Sequence, residues 1–134
     1  MKAFIIWTGL VSGISGVALQ VPSLTAQLFP VSPPALVLRV FGLVAVFLGL
    51  MLILCSRDLK NRGVVVIWEG MLRLVGGLVI AGYGIFGDHG VLMCLAGLGD
   101  FAIGGVYLVF LPRHLGVSTL DLLLDRQRST HSPH

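Results

Sequence analysis

The chain has 134 residues, of which 56% are hydrophobic and 11% charged, and its mean hydropathy is +0.98. A water-soluble domain of this size exposes too much of its surface to hide so many apolar side chains, which excludes a soluble globular fold and leaves lipid to cover the remainder. Nor does the net charge of +3 indicate nucleic acid, because two of the nine basic residues lie inside apolar runs and the others flank those runs, a membrane-topology pattern.

The first apolar run covers residues 3–19, directly after Met1-Lys2. With Gly16-Val17-Ala18 as a small-x-small site it imitates a cleaved signal peptide. A retained helix is favoured, since Gly9, Gly13 and Gly16, with Ser12 and Ser15, make a small-residue face suited to packing inside a bundle, ahead of a dimer interface. The link that follows, 20–33, is uncharged and bracketed by prolines. Leu24, Leu28 and Phe29 allow a short interfacial helix there, and a plain apolar loop is the alternative.

Three further runs occupy 34–55, 63–86 and 91–111. Each is close to the ~20 residues that a helix needs to cross the hydrocarbon, and none alternates like a barrel strand. Backbone groups in lipid must be satisfied within the segment, so the expected fold is all-α: a polytopic membrane protein with a four-transmembrane-helix bundle. Lys2, Arg57, Lys60, Arg62, Arg113, Arg126 and Arg128 flank these runs on one side, whereas the links 20–33 and 87–90 contain no lysine or arginine. By the positive-inside rule both termini are expected in the cytoplasm of a bacterial inner (plasma) membrane protein.

Residues 1–116 form the expected transmembrane domain and 117–134 a cytoplasmic tail. Within the tail, Ser118 and Asp121 resemble a capping box ahead of Leu120, Leu123 and Leu124, so a short C-terminal interfacial helix is expected; its alternative is a solvated tail, and 129–134 reads as disordered. A repeat is suggested by Leu38-Arg39-Val40-Phe41-Gly42 and Leu72-Arg73-Leu74-Val75-Gly76, which would relate two antiparallel helices as in inverted-repeat transporters.

Four ionisable residues, Arg39, Glu69, Arg73 and Asp100, lie within the runs. Charge at bilayer depth costs ~2.5–3.5 kcal/mol on insertion scales, so such residues face the interior and pair. Glu69 and Arg73 are neighbours at i and i+4 on one helix. Asp100 falls by depth between the two arginines, giving an expected Arg39–Asp100–Arg73–Glu69 chain, and Tyr107 shares the Asp100 face. These five are the expected ligand-binding residues; a purely structural ion network is the alternative. Trp7, Trp68 and Tyr83 fit interfacial anchoring.

Other chemistries are not indicated. Cys55 and Cys94 fall at opposite ends of the bundle and are not expected to pair. His89, His114, His131 and His134 lie outside the runs, and no Cys, His or carboxylate set has metal-ligand spacing. No G-x-x-x-x-G-K loop or nucleophile elbow occurs. Neither metal nor other cofactor is expected, and catalysis by this chain alone is not expected.

Leu38-Arg39-Val40-Phe41-Gly42, Gly49, Glu69-Gly70-Met71-Leu72-Arg73 and Gly99-Asp100-Phe101 resemble the DoxX-like group of small four-helix bacterial membrane proteins. The resemblance implies the four-span architecture, and some members of the group are associated with quinone-linked sulfur oxidation, so it also implies a possible accessory place in a membrane redox complex. The expected function is therefore binding of a lipid-like or quinone-like molecule, or of a larger membrane partner, through the intramembrane charges. A small proton-coupled transporter acting as a homo-oligomer and a purely structural assembly subunit are the alternatives.

Overall fold

A computed structural model of the chain describes residues 1–28, 35–86 and 91–124. Residues 29–34 and 87–90, and with 125–134 the end expected to be disordered, lie outside the described residues. Among the described residues every regular element is a helix: α1 (Lys2–Ala18), α2 (Pro22–Leu28), α3 (Ala35–Cys55), α4 (Leu59–Phe86), α5 (Val91–Leu115) and α6 (Thr119–Leu123). Three of them, α3, α4 and α5, are long and apolar enough to cross a membrane; α1, at 17 residues, is apolar but shorter. In the 20–33 link, helix prevails over plain loop as α2.

Local chemistry explains the boundaries. α4 begins at Leu59, ahead of the apolar run, because Asp58 receives the side-chain amide of Asn61 at 2.8 Å and its backbone N–H at 3.4 Å. The Asn61 side chain holds the exposed Asp58 carboxyl below the usual carboxylate range. α5 runs on past the expected end at 111, through Pro112, and stops where Gly116 takes the left-handed φ of 70° that a Cβ would disfavour. Ser118 Oγ accepts the Asp121 N–H at 3.0 Å and so caps α6.

The helices associate as two antiparallel hairpins, α1 with α3 and α4 with α5. In each hairpin the backbones touch at two levels, through glycines seven residues apart on both helices. Gly9 lies on Gly49 and Gly16 on Gly42; Gly70 lies on Gly104 and Gly77 on Gly97. A Cβ added at Gly16 would sit 2.5 Å from the Gly42 carbonyl oxygen, and one at Gly77 or Gly104 would sit 2.6 Å from the carbonyl oxygen of Gly97 or Gly70. Only glycine permits that approach. On α1 an added Cβ would clash at Gly9 and Gly16 but meets nothing within 4 Å at Gly13, although the Gly13 backbone nitrogen lies 2.8 Å from where a Cβ on Gly49 would sit.

This packing corrects the expected inverted echo. Gly42 is buried against α1, whereas a Cβ at Gly76 would meet nothing within 4 Å, so the two L-R-x-x-G segments are not equivalent. The repeat that the structure displays runs in the same sense through both hairpins. It superposes Ile6-Trp7-Thr8-Gly9 on Ile67-Trp68-Glu69-Gly70, and the Gly42/Gly49 pair of α3 on the Gly97/Gly104 pair of α5.

The hairpins meet along a core of Ile5, Leu52, Val66, Ile67, Tyr107 and Leu111, in which Ile5 is the repeat mate of Val66 and Leu52 that of Tyr107. At the end of the bundle bearing Lys60 and Arg62, α6 lays Leu122 into this core beside Gly63 and Leu59. Trp7, Phe47, Val75, Ile85 and Phe110 remain exposed on the outside, an apolar coat suited to acyl chains.

Alanine at Gly16, Gly77 or Gly104 is expected to lower unfolding stability in detergent by ~1–3 kcal/mol, through backbone displacement. Alanine at Gly76, Gly99 or Gly105, where a Cβ meets nothing within 4 Å, is expected to be neutral or slightly stabilising. Thermal unfolding followed by circular dichroism would separate the two sets.

Candidate functional site

Polar side chains concentrate where the hairpins meet. Arg73, one turn after Glu69 on α4, reaches both carboxylates and α1 at once. Its Nε donates to Glu69 Oε1, its Nη1 donates to Asp100 Oδ1 on α5 at 2.5 Å, and its Nη2 donates to Ser12 Oγ on α1. Glu69 is almost enclosed, with 4% of its side chain exposed, against 11% for Arg73 and 38% for Asp100. A planar guanidinium with five donors in a fixed fork suits such a three-way clamp, where the single point charge of a lysine would not. Ser12 is the repeat mate of Arg73, so this hydrogen bond ties corresponding positions of the two hairpins together.

A second polar contact lies beside it. The Thr8 hydroxyl is 3.0 Å from the Phe4 carbonyl oxygen and 3.1 Å from that of Ile5, as donor, and it is also bonded to the Tyr107 hydroxyl. Thr8 has one hydroxyl hydrogen, already committed to its own helix, so Tyr107 donates. The Tyr107 ring is fully buried and meets Phe4 edge-on with centroids 5.7 Å apart. It packs over Gly70, where an added Cβ would lie 2.8 Å from Tyr107 Cβ.

The expected four-residue chain is therefore shortened. Arg73, Glu69 and Asp100 are brought together, but Arg39 is exposed and takes part in no ion pair among the described residues. Gly42, Val46 and Gly49, on the same helix as Arg39, pack against α1 and not α5. At its end of α3 the neighbour is Gln20, whose side-chain amide donates to the Arg39 carbonyl at 2.9 Å. Removing Arg39 changes the charge balance: the cluster consists of two carboxylates and one guanidinium.

Between α3 and α4, which belong to different hairpins, the packing leaves a groove of about 360 Å³. Leu48, Met51 and Leu52 line one wall, and Trp68, Glu69 and Leu72 line the other. Of the five expected site residues, Glu69 alone is in the lining; Tyr107 fills the interface of α1 with α5 instead. Glu69 Oε2 is the buried side-chain polar atom left without a hydrogen-bond partner among the described residues. Leaving such an acceptor unmet is unfavourable, and a charged one more so.

Thr8 and Ser12 were not among the residues expected at the site. Hydroxyls inside an apolar helix read as packing residues, and the signal that would have singled them out is the I-W-x-G match, which places Thr8 opposite Glu69 and Ser12 opposite Arg73. Among the described residues no group of His, Cys, Asp and Glu has the arrangement to hold a metal ion, and Cys55 and Cys94 are free thiols. Comparisons with protein-family models, with curated proteins and with solved structures find no match for the chain.

Arg73→Leu is expected to destabilise the fold by ~3–5 kcal/mol, because it strands the enclosed Glu69 carboxylate. Adding Glu69→Leu to Arg73→Leu is expected to recover most of that loss, since it removes the stranded charge. Denaturant titration of both proteins in the same detergent checks the pair; equal stability of the single and double variants would contradict the clamp.

Proposed function

We propose that the chain is a small integral membrane protein that binds a lipid-like or quinone-like molecule in the groove between α3 and α4, without catalysing a reaction on it. The observation that carries this reading is the unmet acceptor, Glu69 Oε2, in the wall of an otherwise apolar groove. A ligand that enters from lipid, a quinone-like one in its reduced, hydroxyl-bearing form, buries its apolar body against Leu48, Met51 and Leu72 and offers a donor to the carboxylate. Arg73 and Asp100 are positioning residues in this scheme: Arg73, itself paired with Asp100, engages Oε1 of Glu69 and leaves Oε2 without a partner. Arg39 and Tyr107 have no contact with the ligand.

The membrane setting is part of the proposal. α1 spans ~25 Å at 1.5 Å per residue, and with its flanking residues it serves as a fourth crossing of a hydrocarbon layer ~30 Å thick. Seven flanking lysines and arginines then lie on one side, which orients both termini to the cytoplasm of a bacterial inner membrane. The DoxX-like resemblance agrees with that topology.

A proton-coupled transporter working as a homo-oligomer is the second reading, favoured by the surplus carboxylate of the cluster, which could take up and release a proton. The two readings differ in what accompanies the purified protein and in what crosses a vesicle wall. Native mass spectrometry of mildly extracted protein is expected to show a retained small molecule that Leu48→Phe, which fills the groove, displaces. A reproducible partner chain in its place would favour an assembly subunit. Proton-driven uptake of a cation into vesicles, abolished by Glu69→Gln, would favour the transporter. A fluorescent-protein fusion at the C terminus is expected to mature and glow, as it does only on the cytoplasmic side.

A further inference from the structure

The internal repeat supplies the ligand's chemistry. Applied to the two interfaces between hairpins, it superposes α1 against α5 on α4 against α3. Thr8 then corresponds to Glu69, Phe4 to Val65 and Tyr107 to Leu52. At the first interface the aromatic ring of Tyr107 fills the space and its hydroxyl donates to Thr8, with Phe4 edge-on to the ring. At the second, the smaller Leu52 and Val65 leave a groove of about 360 Å³, and the acceptor that stands where Thr8 stands has a free oxygen. One side of the bundle is thus closed by a built-in phenol, and the other lacks both the ring and the donor.

We infer that the groove takes an aromatic hydroxyl compound, a lipophilic phenol whose ring occupies the space that Leu52 leaves and whose O–H donates to Glu69 Oε2. This inference rests on the proposed ligand-binding reading and narrows it. A charged acceptor strengthens the hydrogen bond relative to the neutral Tyr107–Thr8 pair, and a dry apolar wall strengthens it again. A donor suits this site, because Oε2 is an acceptor without a partner; an ether or a ketone of the same shape would bring it no donor. Trp68, in the same wall, places an indole beside the bound ring.

The test uses the full chain carrying Trp7→Phe, so that Trp68 is the remaining tryptophan, in phosphatidylcholine nanodiscs titrated with para-nonylphenol or with its methyl ether. Trp68 fluorescence is expected to change saturably with the phenol and roughly tenfold or more weakly in affinity with the ether, the value of one hydrogen bond to a charged group. Leu52→Tyr, which builds the missing phenol into the chain, is expected to abolish the phenol response, and Leu48→Phe does the same from a half-exposed position if Leu52→Tyr fails to fold. Equal affinities for phenol and ether, both lost on Leu48→Phe, would overturn the phenol assignment while leaving a ligand-binding groove. A response that never saturates, or one that Leu48→Phe leaves unchanged, would overturn both.

Discussion

Helices immersed in lipid gain nothing by hiding apolar side chains from one another, so what holds this molecule together is the contact of backbone with backbone at its paired glycines. Gly9 on Gly49 and Gly16 on Gly42 lock one hairpin, and Gly70 on Gly104 and Gly77 on Gly97 lock the other. The heptad spacing on each of these four helices keeps the contacts on one stripe. With the glycines committed to contacts inside each hairpin, the surfaces left to join the hairpins carry larger and polar side chains. That division explains why Arg73 reaches across to Ser12 where the hairpins meet and why the groove opens between them.

The cluster and the groove express one departure from symmetry. Two hairpins with the same backbone packing present different chemistry to each other: Thr8 and Ser12 from the first, Glu69 and Arg73 from the second. Arg73 meets its repeat mate Ser12 and two carboxylates, while Tyr107 meets Thr8. Where the first hairpin faces α5 the interface is filled; where the second faces α3, a leucine stands in the place of the tyrosine, and the interface stays open with a carboxylate oxygen unmet.

Part of this site was legible beforehand. The pairing of Arg73 with Glu69 follows from i,i+4 spacing, and its pairing with Asp100 from opposite charge at similar depth. Arg39 obeyed the same rules of charge and depth, yet it is segregated, because depth does not say which neighbour a helix face meets. The polar start of α4 and the passage of α5 through Pro112 likewise depended on local hydrogen bonds that hydropathy does not register. The same-sense repeat was present in the residues but outweighed by a chance L-R-x-x-G match, and only the glycine contacts distinguish them.

By itself the amino-acid sequence determined an all-helical chain with apolar segments fit for lipid, charges confined to a few interior positions, and a capped C-terminal helix. Those properties depend on each segment alone, through hydropathy, spacing and capping. Which helices pair, that Arg39 stands apart from the cluster, that Tyr107 closes one interface and that one oxygen of Glu69 goes unmet were decided only in the tertiary structure. Each of those outcomes is a matter of which face meets which, and in lipid that choice is made by shape, summed over close contacts between segments distant along the chain.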